Sequence, residues 1–508
     1  MIKNLGELKA SGYTSKSIKD ELRDNLIKHM QAGTTVFEGV HGFENSVIPE
    51  LERAILSRHN INLLGLRGQA KTRLARLMVN LLDEYIPIVQ GSEINDDPLS
   101  PISRFSRDLI AEMGDKTPLA FLHRSDRFAE KLATPDVTVA DLIGDVDPIK
   151  AANLKLSYAD DRVIHFGMIP RANRCIFVIN EIPDLQARIQ VALFNILQEG
   201  DIQIRGFKLR LPLDMQFIFT ANPEDYTNRG SIVTPLKDRI QSQILTHYPK
   251  SIETSLLITE QEAKINDAQK KLVTISDLIK RLVEQVAFEA RSNEYVDKKS
   301  GVSARLTIAA FENAVSSAER RAIMHKEKNT QVWISDLTGI IPSITGKIEL
   351  VYEGEQEGPY EVALNLLNKS IRNQFIQYFP NPELTKKRKT NKKSTEEPVA
   401  ENPYKLITAW FDGGNQLDLL LDMKDADKIA SLYKVDGLYG VVKKHYPHAN
   451  EQEAALLMEF VLHGLAAFSM INKKMIDGKI EFKDLMGSIM NLGNIGFGED
   501  DFNEGDYQ

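Results

Sequence analysis

The sequence predicts an α/β fold, in which a parallel sheet is flanked by helices and is followed by a mainly helical region. Three observations support this class. An apolar run at 61–64 is followed by the glycine-containing stretch 65–72 and then by a helical pattern. Two further apolar runs, at 175–179 and 215–221, end in polar residues. Continuous apolar runs are typical of parallel strands buried on both faces, and open α/β sheets carry their ligand chemistry at the carboxyl ends of such strands.

The composition limits the classes of protein to consider. The chain has 508 residues, of which 42% are hydrophobic and 26% are charged, so we expect two to four domains. Its net charge of −8 argues against a general attraction to nucleic acid or to anionic membranes. No apolar run approaches the roughly 20 residues that span a bilayer, and the N-terminus lacks the apolar segment of a signal peptide. A lone cysteine, Cys175, excludes a disulfide framework and a cysteine-based metal site. These features predict a cytoplasmic protein.

The stretch 65–72 has the layout of a phosphate-binding loop: Gly65-Leu66-Arg67-Gly68-Gln69-Ala70-Lys71-Thr72. In such a loop, backbone N–H groups and the first turn of the next helix point at an anion, and the helix dipole favours negative charge there. Lys71 can reach the β- and γ-phosphates, and the Thr72 hydroxyl can ligate Mg²⁺. Ala70 stands where the usual pattern has glycine, so the match is imperfect.

Two elements are predicted upstream of this loop. Residues 14–32 form a charged amphipathic helix whose apolar face comprises Ile18, Leu22, Leu26 and Ile27. Residues 37–43 form a glycine-flanked turn, and the helical pattern after it ends near Ser57. The turn is well placed to wrap an adenine, and an ordinary loop is the alternative interpretation.

The segment 83–165 gives a weaker signal. A strand is predicted over 86–89, and a polar, proline-containing stretch follows at 96–101. Residues 141–148 predict a turn-rich loop and not a core element.

The apolar run 175–179 ends in Asn180 and Glu181. A strand beside a phosphate loop normally ends in an Asp that is associated with Mg²⁺ and a Glu that activates water. The first of these positions holds an amide in this chain, and the second keeps its carboxylate. An ordinary strand end is the alternative, but the phosphate loop earlier in the chain favours the functional interpretation.

The segment after Glu181 predicts a helix, a hairpin and a strand. Apolar residues at four-residue spacing predict the helix from about Asp184 to Glu199. Alternating apolar residues on either side of Arg205-Gly206 then predict a β-hairpin. The next strand ends at Asn222, whose side chain can orient an attacking water, or which simply begins a turn.

Two arginines lie further along the chain. Arg239 directly precedes Ile240, and a lone arginine is usually a solvated surface charge. Ser303 is a natural N-cap for the helix predicted over 303–325, which places Arg305 in its first turn. A cation in the first turn is unfavourable, because the N-terminus of a helix is the positive end of its dipole. Its presence there indicates that Arg305 binds an anion.

These elements, in this order, resemble the AAA+ ATPases, and within them the branch of MoxR and the magnesium-chelatase I subunit. The resemblance covers residues 36–330 and implies an AAA+ P-loop core with a helical lid. Its motifs are weak singly and specific in combination, namely Asp141-Leu142-Ile143-Gly144, the helix–hairpin stretch 192–211, Thr220-Ala221-Asn222-Pro223, Pro235-Leu236-Lys237-Asp238-Arg239 and Gly301-Val302-Ser303-Ala304-Arg305.

The resemblance implies four catalytic roles. Glu181 would polarise the hydrolytic water, and Asn222 would be the sensor-1 residue. Arg239 would be the arginine finger that acts on ATP in the neighbouring subunit. Arg305 would be the sensor-2 residue, contacting the γ-phosphate from the lid.

The resemblance also implies the residues that bind ATP and Mg²⁺. Thr72 and Asn180 would hold the metal, and because Asn180 lacks a carboxylate we expect weaker metal binding but not its loss. The methyl group of Ala70 is expected to lower the affinity of the loop for phosphate. The nucleotide-binding residues would be Gly65, Gly68, Gln69, Ala70, Lys71, Thr72 and Leu74, with Val40 and Gly42 near the adenine.

The function implied by the resemblance is ATP hydrolysis in a hexameric ring that remodels or activates a partner protein, in the manner of a chaperone. A protein with a von Willebrand A domain is the expected partner, and no specific nucleic acid is expected. Two alternatives remain: a motor subunit of the magnesium-chelatase type, and a nucleotide-binding scaffold with little hydrolysis. An enhancer-binding transcription activator is less favoured, since the chain has no Gly-Ala-Phe-Thr-Gly-Ala loop.

The chain is predicted to divide into seven segments. For the basic run at 386–393 a solvated tether is favoured over a nucleic-acid contact, because the chain as a whole is acidic. The C-terminal domain carries no catalytic motif and is predicted to be a docking module. The segments are 1–35, an N-terminal helical segment; 36–250, the nucleotide-binding core; 251–330, the helical lid; 331–380, a connecting α/β element; 381–402, a charged linker; 403–492, the mainly helical C-terminal domain; and 493–508, an acidic tail.

Overall fold

The computed structural model describes residues 2–157, 160–204, 210–223, 231–387, 402–476 and 478–485. The chain forms two compact units, the first ending at Lys250 and the second beginning at Ser251. The turn of the predicted hairpin, most of the predicted charged linker and the acidic tail lie outside the described residues.

A five-stranded parallel sheet forms the centre of the first unit. The described strands of this unit are β1 (Ile61–Leu64), β2 (Tyr85–Val89), β3 (Leu119–His123), β4 (Phe128–Leu132), β5 (Gly144–Val146), β6 (Ile164–Phe166), β7 (Cys175–Asn180), β8 (Asp201–Gln203), β9 (Arg210–Pro212), β10 (Met215–Ala221) and β11 (Ser242–Leu245). The order across the central sheet is β11-β1-β10-β7-β4, and β2–β3, β5–β6 and β8–β9 form separate antiparallel pairs.

Helices cover both faces of this sheet. The described α-helices are α1 (Leu5–Ala10), α2 (Ile18–Ala32), α3 (Val47–Leu56), α4 (Lys71–Leu77), α5 (Arg104–Met113), α6 (Val139–Leu142), α7 (Pro148–Leu154), α8 (Met168–Arg171), α9 (Ala187–Ala192), α10 (Phe194–Glu199) and α11 (Thr234–Arg239). Short 3₁₀ segments are Met78–Leu81, Gly114–Lys116, Arg124–Asp126, Asp161–Val163 and Ile182–Asp184.

The central strands separate two hydrophobic cores. Ile176 and Val178 of β7 pack into the core that contains α2, α3 and α4. Phe177 and Ile179, which alternate with them, pack into the core that contains α9 and α10. Successive side chains of a strand point to opposite faces, so a strand that is apolar at every position requires a core on each side.

The single cysteine, Cys175, is the first residue of the buried strand β7. Cys175 is 2% exposed, and burial raises the pKa of its thiol to about 12.

Three parts of the first unit differ from the sequence-based expectations. The strand predicted at 86–89 exists, but it pairs antiparallel with β3 outside the central sheet, and β4 completes that sheet instead. Residues 141–144 are not a surface loop, because a Thr138–Asp141 capping box begins α6 and Leu142 and Ile143 are buried.

The helix predicted at 184–199 is broken into α9 and α10 at Leu193. Its apolar residues are nevertheless buried in one core. The Gln190 side chain donates to the carbonyl oxygens of Leu185 and Ser231 and accepts from the Val233 N–H. These bonds hold α9 against the segment that precedes α11.

A buried ion pair joins α2 to the start of β4. Both terminal nitrogens of Arg127 donate to the Glu21 carboxylate over 2.6 Å, and the Arg127 Nε donates to the Arg174 carbonyl oxygen. The two side chains are 1% and 6% exposed. A bidentate pair of this kind fixes the direction of both elements as well as their separation.

The second unit is mainly helical. Its described α-helices are α12 (Ile252–Glu262), α13 (Asp267–Leu272), α14 (Asp277–Ser292), α15 (Arg305–His325), α16 (Ile341–Thr345), α17 (Tyr352–Glu357), α18 (Pro359–Tyr378), α19 (Pro382–Lys387), α20 (Lys405–Asp412), α21 (Asp425–Leu432), α22 (Leu438–His445) and α23 (Glu451–Ala467). Its described strands are β12 (Val273–Thr274), β13 (Thr330–Gln331), β14 (Leu417–Leu420), β15 (Asn472–Ile476) and β16 (Lys479–Lys483), and a 3₁₀ segment covers Ser335–Ile340.

One hydrophobic core runs through the second unit. Leu282, Phe311, Phe375 and Phe460 belong to it, although they come from the predicted lid, the predicted connecting element and the predicted C-terminal domain. The C-terminal part also contains an antiparallel sheet in the order β14-β16-β15, which the helical periodicity of the sequence does not predict.

A buried polar cluster ties the same parts together. The Arg321 guanidinium of α15 contacts the carboxylates of Asp336 (3.1 Å) and Asp425. Asp425 also accepts hydrogen bonds from the Thr330 hydroxyl (2.8 Å) and the Trp333 indole N–H (2.7 Å). Each buried charge in this cluster therefore has an opposite charge or a hydrogen-bond donor beside it.

No helix within the described ranges is long and apolar enough to cross a membrane.

The Glu21–Arg127 pair generates the first testable prediction. Replacing Arg127 with Met leaves the Glu21 carboxylate buried without its cation, which costs about 3–5 kcal/mol. In differential scanning calorimetry of the full chain, we expect the Tm of the transition that reports the first unit to fall by roughly 10 °C.

A matched control is Arg58→Met, which removes the partner of Asp20 on the same helix α2. That pair is 48% and 41% exposed, so the change is expected to cost less than about 1 kcal/mol. Equal effects of the two substitutions would show that burial does not set the strength of the Glu21–Arg127 pair.

Asp214 generates a pH prediction. Burial raises the pKa of its carboxyl from 3.8 to about 6. The folded state therefore prefers the protonated acid, and this contribution is complete below pH 3.8 and is lost as the pH rises through 6. Asp214→Asn is expected to match the wild type near pH 4 and to exceed its stability at pH 7 by up to about 3 kcal/mol. Tm measured by calorimetry across this range checks it, and a constant difference would contradict it.

Candidate functional site

The predicted phosphate loop leaves β1 and enters α4 at the carboxyl edge of the sheet. The Gly65 N–H donates to the Ala221 carbonyl oxygen of β10 (3.1 Å). A Cβ at Gly65 would overlap the side chains of Gln69 and Thr246, so only glycine fits there. Gly68 has a φ of 70°, in the left-handed region. The loop geometry thus favours glycine at two of its positions.

Ala70 also lies in the left-handed region, with φ 55° and ψ 18°, and it is the N-cap of α4. A residue with a Cβ pays about 1–2 kcal/mol for this conformation. Glycine at this position, as in the usual pattern, avoids that cost, so the departure noted in the sequence is a strained position of the loop.

Lys71 is the first residue of α4 and is 7% exposed. Its ammonium group donates to the Gly65 carbonyl oxygen and to that of Leu66 (3.1 Å). A cation held over the loop beside a helix N-terminus is placed to meet the phosphates of a nucleotide. Leu74, on the same helix, is fully buried in the core behind the loop.

The segment directly after β11 braces the loop from the other side. The Thr246 hydroxyl donates to Gln69 Oε1 (2.7 Å), and the Tyr248 hydroxyl donates to the Arg67 carbonyl oxygen (2.9 Å). The parallel register of β11 with β1, in which Leu245 pairs with Leu64, places this segment at the same sheet edge.

The predicted adenine turn contacts this segment as well. Val40 is 6% exposed, and the N–H of Gly42, which has a φ of 83°, donates to Glu44 Oε1 (3.0 Å). The Phe43 ring packs edge-on against the His247 ring with their centroids 5.0 Å apart. The turn is therefore tied to the strand beside the phosphate loop.

Asn180 is the centre of a hydrogen-bond chain that joins three neighbouring strands. Its Oδ1 accepts from the Thr220 hydroxyl (3.1 Å) and lies 3.5 Å from the Thr72 hydroxyl. Its Nδ2 donates to Glu130 Oε1 (2.5 Å). The hydrogen bonds join the residue after Lys71 to the carboxyl ends of β7 and β10 and to the middle of β4.

Glu181 follows Asn180 with a φ of 54°, and its N–H donates to the Thr220 hydroxyl (3.1 Å). A left-handed glutamate is strained, and such strain tends to occur at functional positions. Asn222 is 3% exposed and directly follows β10. The structure thus places Glu181 and Asn222 after neighbouring strands of one sheet edge.

The two arginines lie in different units. Arg239 ends α11, where its guanidinium donates to Gln198 Oε1 (2.9 and 3.1 Å) and to the Pro235 carbonyl oxygen (2.7 Å). The guanidinium also lies 4.9 Å from the centroid of the Phe194 ring. Arg305 belongs to the second unit, where it begins α15, is exposed, and donates its N–H to the Ser303 hydroxyl (3.1 Å).

The side chains at this edge fit a nucleotide and a hard divalent cation. Thr72, Asn180 and Glu130 offer oxygen atoms, which Mg²⁺ prefers. Among the described residues, no group of three or more His, Cys, Asp or Glu side chains forms a metal cage. Mg²⁺ commonly keeps several water ligands and is bound through one or two protein groups together with phosphates.

Sequence reasoning missed several of these residues. Glu130, Thr220, Thr246 and His247 all lie at the sheet edge but were not among the candidates. The last two had no clear signal, because β11 has the sequence Ser-Gln-Ile-Leu, in which two of the four residues are polar. Glu130 had none either, because the strand that carries it was not predicted.

Comparison with known proteins gives a domain match and distant structural similarities. Residues 117–240 match the model of the AAA domain of the dynein-related subfamily. No curated protein matches the chain.

Three of the solved structures are similar at low identity. A putative ATPase from Cytophaga hutchinsonii is 18% identical, with 72% of this chain and 98% of that chain covered and a TM-score of 0.29. The closed state of Hsp104 with ATPγS and FITC-casein is 13% identical, with 61% and 50% covered and a TM-score of 0.37. The complex of subunits BchI and BchD of magnesium chelatase is 19% identical, with 63% and 98% covered and a TM-score of 0.32.

The fold assignment rests on the matched domain and on the architecture of the first unit. The matched residues include β4, β7 and β10 of the central sheet and end directly after α11. The phosphate loop enters the same sheet from β1, between β10 and β11. The chain has the AAA+ P-loop fold.

Proposed function

We propose that the protein is a MoxR-like AAA+ ATPase that hydrolyses ATP in a hexameric ring and uses the energy to remodel or activate a partner protein. One observation carries this proposal. Lys71 and Thr72, the Asn180–Glu181 pair and Asn222 all lie at one edge of the parallel sheet, and hydrogen bonds link Thr72, Asn180, Thr220 and Glu181.

The reaction is transfer of the γ-phosphoryl group to water, in which catalysis is mainly positioning and charge stabilisation. Bound Mg²⁺ would neutralise charge on the phosphates and would be held through Thr72 and Asn180. Lys71 exchanges its bonds to loop carbonyl oxygens for bonds to phosphate oxygens. Glu181 accepts a proton from the attacking water, and Asn222 orients that water.

The two arginines complete the site in the proposed ring. Arg239 contacts ATP bound to the neighbouring subunit, and Arg305 contacts the γ-phosphate from the lid. An arginine supplied in trans stabilises the charge of the transition state and makes hydrolysis depend on assembly. A protein with a von Willebrand A domain remains the proposed partner.

Two other functions are kept as candidates. Asn180 favours a nucleotide-binding scaffold with little hydrolysis, because it lacks the carboxylate of the usual strand end. The resemblance also extends to a motor subunit of the magnesium-chelatase type, which the additional C-terminal domain and linker make the less favoured candidate. The rate of ATP hydrolysis distinguishes the scaffold from our proposal. The identity of the captured partner distinguishes the chelatase-type motor from it.

Steady-state release of phosphate from ATP tests the proposed reaction. Glu181→Gln keeps the shape of the site and removes the base, so we expect hydrolysis to fall at least about 100-fold while nucleotide binding persists. Lys71→Ala is expected to abolish both. A fluorescent ATP analogue measures the binding.

The control for this experiment is Lys131→Gln on the neighbouring strand, which keeps a long polar side chain and is expected to leave both properties unchanged. Wild-type hydrolysis that does not exceed that of Glu181→Gln would leave the scaffold as the better account. Affinity capture with Glu181→Gln and ATP then identifies the partner.

Ala70 allows a gain-of-function test. Ala70→Gly removes the methyl group beside the phosphate site, so we expect tighter nucleotide binding by up to about tenfold. Ala70→Ser retains a Cβ and is expected to give no such gain. An unchanged affinity in Ala70→Gly would show that the methyl group does not limit binding.

A further inference from the structure

We propose that Glu130 supplies the negative charge that the position of Asn180 lacks. The carboxylate that supports Mg²⁺ then comes from β4 and acts through the amide of Asn180. This inference deepens the proposed function, since it concerns the metal at the same nucleotide site. It makes Glu130 a positioning residue, which acts on the metal through its neighbour or through a bound water.

The first argument is geometric. Glu130 and Asn180 lie on adjacent parallel strands, and Glu130 is paired with Val178, two residues before Asn180. Positions two residues apart on a strand point to the same face. The side chains meet there: Asn180 Nδ2 donates to Glu130 Oε1 over 2.5 Å. The carboxylate is therefore one hydrogen bond away from the amide whose oxygen faces Thr72.

The second argument explains why residue 180 is an amide. The Asn180 Oδ1 already accepts from the Thr220 hydroxyl, and its Nδ2 is the donor that the Glu130 carboxylate needs. An aspartate at 180 would offer only acceptors and would place two carboxylates in direct contact. Like charges at that distance cannot both ionise without cost. A single carboxylate at the two positions avoids this repulsion.

The third argument concerns the other oxygen of Glu130. Its Oε2 accepts from Arg76 Nη2 (2.8 Å) and Nε (3.2 Å). The Arg76 side chain is 63% exposed, whereas that of Glu130 is 25% exposed. Arg76 thus holds the carboxylate from the solvent side, while Oε1 faces the site. Because the Arg76 side chain is largely exposed, this ion pair is expected to be weak.

A charge-swap experiment tests the proposal. Mn²⁺ serves as the probe for the metal, with a non-hydrolysable ATP analogue bound to the full-length protein, and electron paramagnetic resonance measures free Mn²⁺. Glu130→Gln keeps an acceptor for the Asn180 amide and removes the charge. We expect it to weaken Mn²⁺ binding about tenfold or more, as is usual for residues that support metal ligands. The double variant Glu130→Gln/Asn180→Asp returns the charge and is expected to restore the affinity to within about threefold of the wild type.

Asn180→Asp alone provides a second signature. Two carboxylates then face each other, so the metal-free protein should have a lower Tm, and Mn²⁺ with the analogue should recover more stability than in the wild type. This readout does not depend on hydrolysis. It also reports whether the variant folds, because the recovered Tm can be compared directly with that of the wild type.

Arg76→Ala is the matched control. It removes the ion pair but leaves the charge of Glu130, so Mn²⁺ affinity should stay the same or rise. If Arg76→Ala weakens Mn²⁺ binding as much as Glu130→Gln does, Glu130 merely anchors α4 and the inference fails. Unchanged Mn²⁺ affinity in Glu130→Gln also overturns it. If the wild type does not bind the analogue at all, the proposed function fails as well, so the two failures are distinguishable.

Discussion

The parallel register of the central sheet is the constraint on which the candidate site depends. Leu64 pairs with Ala221 and with Leu245, and Ile179 pairs with Phe219, so the strands end at the same level. Every loop that leaves this edge brings its first polar residues to one place. The bidentate Glu21–Arg127 pair extends the constraint to the outermost strand, because Arg127 directly precedes β4. Packing at one end of the sheet thereby sets the geometry of side chains at the other.

The sequence was sufficient for the strands that are buried on both faces, and it failed for an edge strand. β7 and β10 are apolar at nearly every position, so their composition identifies them. β4, with the sequence Phe-Ala-Glu-Lys-Leu, has a neighbour on one side only and tolerates charge. The helix predicted at 184–199 is present from Ala187 to Glu199, with an interruption at Leu193. Its apolar spacing correctly predicts which residues are buried, but that spacing carries no sign of the interruption.

The residues of the candidate site also fall into two groups, those that local sequence predicts and those that it does not. Residues that lie next to one another in the sequence, such as Lys71 and Thr72 or Asn180 and Glu181, can be found from local pattern alone. Residues that meet only through sheet order, such as Glu130 and Asn180, cannot, since no local pattern relates positions 50 residues apart. The apparent defect at Asn180 is the clearest instance. The sequence of β7 alone shows a missing carboxylate at Asn180. When β4 is considered as well, Glu130 is the carboxylate that we propose takes its place.

The burial of Cys175 has a practical consequence. The thiolate is the nucleophile that reacts with thiol reagents, and a cysteine that is 2% exposed with a pKa of about 12 offers almost no thiolate at neutral pH. The native cysteine is therefore not expected to react during cysteine labelling. A cysteine introduced at an exposed position can carry a fluorophore or a spin label without prior removal of the native one, so movements within each unit can be followed in an otherwise unaltered protein.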